Sequence, residues 1–367
     1  MPKEFFLTLP KEEQTEIITN VAQKLGMEPY VIEKDLWVCW TLQELFSMPN
    51  SLKMAFKGGT SLSKAFNAIY RFSEDIDITI DYINFENNLQ NPFAEGVSKN
   101  AKKILSDSLR KQLNTYVHEV ITPYFIKISQ RQFSNEVTIA TSPTGEELRI
   151  QYSSVIPHNA YVKSEVLLEF GARNVTEPSE FHLIEPYITQ FIDNDQLILP
   201  KFTVPVLSPQ RTFWEKATLI HVECSRAKQH VSFALLNGQP FELLSGEPFA
   251  LLKSNAERLS RHWYDLTMLS RQTIGQSALK NIDLLKEVIK HKKVFFDGKN
   301  YNYDACLNGG FLLLPEDNNI QALEQDYKKM IDSGMFFKEP PSFKDILEEL
   351  RVVEFEINKN IKILAYD

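Results

Sequence analysis

Cysteine is scarce in this chain. Cys39, Cys224 and Cys306 are its three cysteines in 367 residues. They are odd in number and far apart, which argues against both a disulfide framework and a zinc site. Seven histidines include no H-x-x-x-H pair, so a histidine-held metal is not expected. No stretch approaches the ~18 uninterrupted apolar residues of a membrane span, and the opening residues Met1 to Phe6 lack the long apolar core of a secretory leader. Basic excess is missing as well: 40 Lys and Arg face 48 Asp and Glu, a net charge of −8. That excludes a globally basic nucleic-acid coat, so RNA or DNA would have to be held by a local patch. There is no internal repeat and no low-complexity tract. These absences lead to the expectation of a reduced, cytoplasmic protein.

What is present suits a folded chain. Hydrophobic residues make up 43% and charged residues 24%, with 25 Phe and 13 Tyr, which speaks against disorder. The length suits two domains, or one domain with a large helical extension.

The most informative segment is Arg71-Phe72-Ser73-Glu74-Asp75-Ile76-Asp77-Ile78-Thr79-Ile80, downstream of Lys57-Gly58-Gly59-Thr60-Ser61. From Asp75 to Ile80 polar and apolar residues alternate, the period of a half-buried strand. Residues i and i+2 of a strand share a face, so Asp75, Asp77 and Thr79 face one way and the three isoleucines enter a core. Two adjacent carboxylates repel each other unless a cation lies between them. Hard oxygen ligands at this spacing suit Mg²⁺, which completes its shell with water and substrate phosphates. The upstream glycines can bring bare backbone N–H groups to those phosphates. A solvated acidic strand end is the bland alternative; the order of glycine turn, short helix and acidic strand favours a phosphoryl or nucleotidyl transfer site.

Along the chain, helices are predicted over 11–26 and 29–46, a strand over 52–57, a helix over 60–70 and the acidic strand over 75–80. A long amphipathic helix over 100–122 is expected to end at Pro123. Strand-like runs at 136–140, 148–152 and 161–170 read as an antiparallel meander. From about Pro209 helices dominate, at 210–224, 256–272, 280–291, 321–333 and 342–359. The turn-rich run Asn237 to Gly246 reads as a surface loop.

Other residues can carry chemistry. Glu169 alternates with apolar neighbours on its strand, as a third carboxylate facing the Asp pair or as a plain surface glutamate; two-metal transfer needs an acid to activate the incoming hydroxyl. Lys216, inside Thr212-Phe213-Trp214-Glu215-Lys216, either snorkels to water or meets nucleotide phosphates as a point charge; its local context favours the former. Arg261 and Asp265 stand at i and i+4 of one helix. Glu33-Lys34-Asp35 reads as a charged helix face and no more.

Taken together, these segments resemble the AbiEii-type nucleotidyltransferase toxin family of abortive-infection and type IV toxin–antitoxin systems, within the polymerase-β-like nucleotidyltransferase superfamily. The likeness runs from Glu33-Lys34-Asp35-Leu36-Trp37 through Phe56 to Lys64, Arg71 to Asp77, Leu168 to Arg173, Thr212 to Lys216 and Ser260 to Asp265, and on to Asp326-Tyr327-Lys328-Lys329-Met330. It implies that Asp75 and Asp77 bind metal and that Gly58, Gly59, Thr60 and Ser61, with Ser73, form the phosphate-side turn. It implies catalytic-site roles for Lys216 and Asp265, and raises Lys216 to a nucleotide ligand. Lys64 and Arg261 complete the expected nucleotide-binding set.

The expected fold is α+β. A nucleotidyltransferase core with a mixed sheet and N-terminal helices spans 1–205, and a helical C-terminal domain spans 206–367, with the active site in the cleft between them. The expected reaction moves a nucleoside monophosphate from an NTP to an acceptor hydroxyl, on tRNA, with Mg²⁺ at Asp75 and Asp77 and with Glu169 as third acid. An antitoxin protein is a possible partner. Lys57, Lys64, Arg71, Arg211, Arg258 and Arg261 are the basic residues expected along the acceptor path. Two rivals stay open: a kinase-like phosphotransferase acting on a protein or small molecule, and a non-catalytic nucleotide-binding module.

Overall fold

A computed structural model describes residues 3–85, 91–134, 136–157, 163–192, 197–236, 258–298 and 300–364. Two compact units divide the chain: 1–90 with 98–208, and 91–97 with 209–367. The fold is α+β, with strands in the first unit and helices alone in the second among the described residues.

In the first unit, β1 (Glu4–Phe5) precedes α1 (Lys11–Leu25) and α2 (Pro29–Phe46). Gly26 ends α1 at φ +64, donating its N–H to Ala22 and Gln23, as a left-handed C-terminal cap does. Pro29 sits in the first turn of α2, where its missing N–H costs nothing. Next come β2 (Met54–Lys57), α3 (Gly58–Lys64) and β3 (Ile76–Asp81), then α4 (Lys99–Tyr116), α5 (Thr122–Phe133), β4 (Val137–Thr141), β5 (Glu147–Tyr152), β6 (Glu165–Asn174), β7 (Ser179–Ile184), β8 (Leu197–Ile198) and β9 (Phe202–Leu207). The helix after the glycine turn is thus shorter than expected, beginning at Gly58 itself and ending at Lys64.

Seven strands form one mixed sheet in the order β4-β5-β6-β3-β2-β9-β7. β3 runs parallel to β6 and β2 parallel to β9; β2–β3, β4–β5, β5–β6 and β7–β9 are antiparallel. The meander is therefore present as β4-β5-β6. Ile76, Ile78, Ile80, Leu148, Ile150, Val166 and Leu168 are fully buried, which is the apolar half of the alternation. β1 and β8 form a separate parallel pair.

Pro123 does not end the long helix. α4 passes through one π turn at Val117–Ile121 directly into α5, with Pro123 in that helix's first turn. There the proline needs no hydrogen-bond partner, and the wider turn makes room for its ring.

The second unit holds α6 (Pro209–Leu236), α7 (Ser260–Ser270), α8 (Thr273–Lys280), α9 (Ile282–Phe295), α10 (Asp317–Asp332) and α11 (Phe343–Leu364). Trp214, Trp263, Tyr264, Phe311 and Tyr327 are buried in its core. Asp326 on α10 accepts from the backbone N–H groups of Arg258 (2.6 Å) and Ser260 (2.9 Å) and from the Ser260 hydroxyl (2.5 Å). A carboxylate from a neighbouring helix thereby satisfies donors at the start of α7. The loop expected over Asn237 to Gly246 lies outside the described residues.

Candidate active site

Strand β2 delivers the chain to Gly58, whose φ of +80 is natural only for glycine. Space demands glycine as well: a Cβ there would lie 1.9 Å from Asp77 Oδ2. The backbone of the turn therefore rests against the Asp77 carboxylate. A Cβ on Gly59 would lie 2.8 Å from Ser73 Oγ and 2.9 Å from Arg71 Nη2. Both glycines, Ser73, Arg71 and Asp77 thus converge on one small volume. Arg71 is buried, with Nη1 donating to Phe72 O at 3.0 Å.

The hydroxyls of the turn serve the backbone. Thr60 Oγ1 donates to Asp75 O, and Ser61 Oγ donates to Gly58 O at 2.9 Å. Both residues are fully buried. Thr60 ties the turn to the residue that carries the first carboxylate, so its contribution is to geometry.

Asp77 pairs in register with Glu169 on β6 and with Lys57 on β2, and Glu169 pairs with Glu147 on β5. Residues in register share a face of the sheet. Lys57, Asp77, Glu169 and Glu147 therefore form a row across four adjacent strands, all partly exposed. Asp75 stands just before β3 and is also partly exposed. The strand pairing brings Glu169 beside Asp77. Glu147 was not foreseen: its strand was legible, but pairing register has no local signature. Arg149, on the same strand, bonds Glu147 (2.8 Å) and Glu165 (2.9 Å).

Among the described residues, no group of three His, Cys, Asp or Glu side chains is gathered tightly enough to enclose a metal ion. The donors nevertheless suit Mg²⁺ in kind. Asp77 and Glu169 offer hard carboxylate oxygens on one face, with Asp75 two residues before Asp77. Mg²⁺ takes one or two carboxylates, filling its shell with water and phosphate oxygens.

Several charged residues lie elsewhere than expected. The Lys64 side chain is buried; its ammonium donates to Asp35 at 2.6 Å and lies 3.9 Å from the Tyr187 ring centre. Burial is the largest single influence and opposes that charge, but the attraction and hydrogen bond of Asp35, with Cys39 and Tyr187 beside it, together raise the lysine pKa. Of the six basic residues expected along an acceptor path, Arg71 and Arg211 are buried, the Lys64 side chain is only 4% exposed, and Arg211 lies 3.4 Å from Glu215. A buried guanidinium or ammonium needs an internal partner, and these are used that way. Glu33, Lys34 and Asp35 are buried too, so they are more than the charged helix face expected.

In the second unit, Lys216 on α6 pairs with Asp265 on α7 at 2.8 Å, the lysine side chain 9% exposed and the aspartate 0%. The snorkelling alternative for Lys216 is therefore excluded. Arg261, one turn before Asp265, is partly exposed.

Comparison with known proteins gives two findings. The profile of the family described as nucleotidyl transferase AbiEii toxin, type IV TA system, matches residues 40–349. Among solved structures, one similar chain is MenT4, a nucleotidyltransferase toxin from Mycobacterium tuberculosis H37Rv, at 16% identity and a TM-score of 0.41, covering 95% of this chain and 98% of that one. No curated protein sequence matches this chain.

Proposed function

Because the chain belongs to the AbiEii nucleotidyl transferase toxin family of type IV toxin–antitoxin systems, we propose that it is a Mg²⁺-dependent nucleotidyltransferase that moves NMP from an NTP to an acceptor hydroxyl on tRNA. The observation that carries this reading is the contact between Gly58 and the Asp77 carboxylate, with Glu169 in register beside it. A bare-backbone turn for phosphates and carboxylates for a cation then share one site.

Asp75 and Asp77 are the residues that would hold Mg²⁺, with Glu169 beside them as the third acid. When bound, the metal neutralises triphosphate charge and lowers the pKa of the acceptor hydroxyl. The backbone N–H groups of Gly58 and Gly59, with Ser73, bind phosphate oxygens. Glu169 takes the proton from the acceptor hydroxyl. The freed oxygen attacks the α-phosphorus, the α–β bridging bond breaks, and pyrophosphate leaves. Lys216, oriented by Asp265, is assigned to the nucleotide phosphates. Positioning and electrostatics carry most of the acceleration, as in phosphoryl transfer generally. We assign the transfer chemistry to residues 1–205 as a nucleotidyltransferase core, with 206–367 as a helical domain. An antitoxin is the expected partner in such a system.

The test is label transfer. The protein is incubated with Mg²⁺, total tRNA and each α-³²P- or γ-³²P-labelled NTP. Label from the α position should reach the tRNA, and Asp75→Asn and Asp77→Asn should abolish this while remaining folded. Label reaching an acceptor from the γ position would instead mean kinase chemistry. Normal transfer by either folded variant would remove the site assignment.

A further inference from the structure

Three consecutive charged residues of α2 lie inside the first unit: Glu33 and Lys34 are 3% exposed and Asp35 1%. Each is bound to a different segment of the unit, and two of those segments carry the site described above. Glu33 accepts from Ser154 Oγ at 2.5 Å and from the Val155 N–H at 2.6 Å, in the segment that leaves β5. Lys34 donates to the Glu74 carboxylate, next to Asp75, and to Lys163 O at 3.0 Å, just before β6. Asp35 accepts from Lys64 at 2.6 Å and from the Tyr187 N–H at 2.7 Å. Lys64 is the last residue of the helix that Gly58 begins.

Stability does not account for this arrangement. A buried ion pair loses hydration that its attraction seldom exceeds, and well-packed apolar residues of the same volume usually serve stability as well or better. What ion pairs supply and apolar contacts lack is direction: a charged donor and acceptor fix each other at one distance and angle. Two such pairs originate from adjacent residues of one helix. One ends at Glu74, the residue before Asp75, the other at the far end of the glycine-turn helix.

We propose that Lys34 and Asp35 are positioning residues of the transfer site, holding the carboxylate strand (through Glu74) and the phosphate turn (through Lys64) at a fixed separation. This rests on the nucleotidyltransferase reading. The two arms separate kinetically. The Lys34–Glu74 arm sets where Asp75 presents its carboxylate, and so acts on metal affinity and kcat. The Asp35–Lys64 arm sets the turn, and so acts on KM for NTP.

The experiment replaces each pair by apolar residues: Lys34→Met with Glu74→Leu, and Asp35→Leu with Lys64→Met. Melting temperature, Mn²⁺ affinity by electron paramagnetic resonance, and kcat and KM with α-³²P NTP and total tRNA are measured. Both double variants should remain folded, losing only what the backbone bonds to Lys163 O and from the Tyr187 N–H contributed. The first should lose on the order of tenfold in Mn²⁺ affinity and about a hundredfold in kcat, with KM unchanged. The second should raise KM for NTP by on the order of tenfold with Mn²⁺ affinity unchanged. Folded double variants with wild-type values overturn the proposal. So does a loss of kcat that merely follows a lost folded fraction, with KM and Mn²⁺ affinity intact. Should the first pair fail to fold, Glu74→Gln keeps volume and one acceptor: weakened Mn²⁺ affinity supports the proposal, and unchanged affinity overturns it. Asp77→Asn runs alongside. If it transfers normally, the functional reading falls and takes the positioning role with it; if it is inactive while both double variants behave as wild type, the positioning role alone falls.

Discussion

Gly58→Ala separates backbone strain from damage to the site, with Gly26→Ala as its control. Both glycines hold positive φ, +80 and +64, so an added Cβ strains each backbone by about 1–2 kcal/mol. For a unit of this size that corresponds to a melting shift of roughly 2–8 °C. The surroundings differ. A Cβ on Gly26 meets nothing within 4 Å, whereas one on Gly58 lies 1.9 Å from Asp77 Oδ2 and 2.7 Å from its Cγ. To restore ordinary van der Waals contact the carboxylate must retreat by about 1.5 Å. Asp77 is partly exposed and can yield, so the clash is relieved by moving the group to which the proposed chemistry assigns the metal. A displacement of about 1 Å in a reacting group costs on the order of a hundredfold in rate. Both variants should therefore melt within the same few degrees of each other. Gly26→Ala should keep wild-type transfer of α-³²P label to tRNA, and Gly58→Ala should lose about a hundredfold. Equal transfer by the two folded variants would refute the contact between turn and carboxylate as a functional one.

Three further outcomes follow from single observations. Lys216→Met or Asp265→Leu alone should destabilise the second unit by about 3–5 kcal/mol in urea unfolding, because each strands a buried charge, and the double substitution should recover most of the loss; additive losses would show that the 2.8 Å pair is not coupled. His221 accepts the Leu312 N–H on Nδ1 at 3.0 Å and donates from Nε2 to Asn302 O at 3.1 Å, and burial pulls its pKa below the ordinary 6.5 against the pull of that carbonyl. The unfolded chain then binds the proton more readily, so this contribution is complete above pH 6.5 and fades as pH falls through the lowered folded value. His221→Gln should accordingly flatten the fall in melting temperature between pH 7 and pH 5, and an unchanged slope would count against a neutral buried imidazole. Binding of tRNA should weaken by about 0.7–0.9 log units per log salt for each phosphate contact, with Lys57, Arg258 and Arg261 the remaining partly exposed candidates; affinity flat in salt would favour another acceptor.

Local pattern made much of the fold legible, and long-range pairing hid the rest. The alternation of Asp75 to Ile80 is one strand's own property, so β3 and its acidic face were readable. The position of Glu169 beside Asp77 depends on how β6 pairs, and a slip of one residue would turn it to the opposite face. β9 escaped notice because Pro205 interrupts Phe202 to Leu207, and proline argues against an interior strand. The strand tolerates it because β2 meets β9 through Phe56 and Val206, leaving the proline outside that pairing. Pro123 misled in the opposite direction, since a preceding π turn converts a helix breaker into the first turn of a new helix.

Charge was the least legible feature, for a reason that bears on the chemistry. Lys34, Lys64 and Lys216 look alike in sequence to any solvated lysine, yet each is buried against a carboxylate distant in the chain: Glu74, Asp35 and Asp265. A charged ammonium taken out of water needs such a partner, and these carboxylates supply it. Their consequences differ by position. Lys64 is spent on Asp35 and fixes a helix. Lys216 keeps a small exposed fraction. On the proposed assignment to nucleotide phosphates, an arriving phosphate would share it with Asp265 rather than meet a bare charge. That sharing would lower the gain from ground-state binding, the part of binding energy that lowers KM without raising kcat.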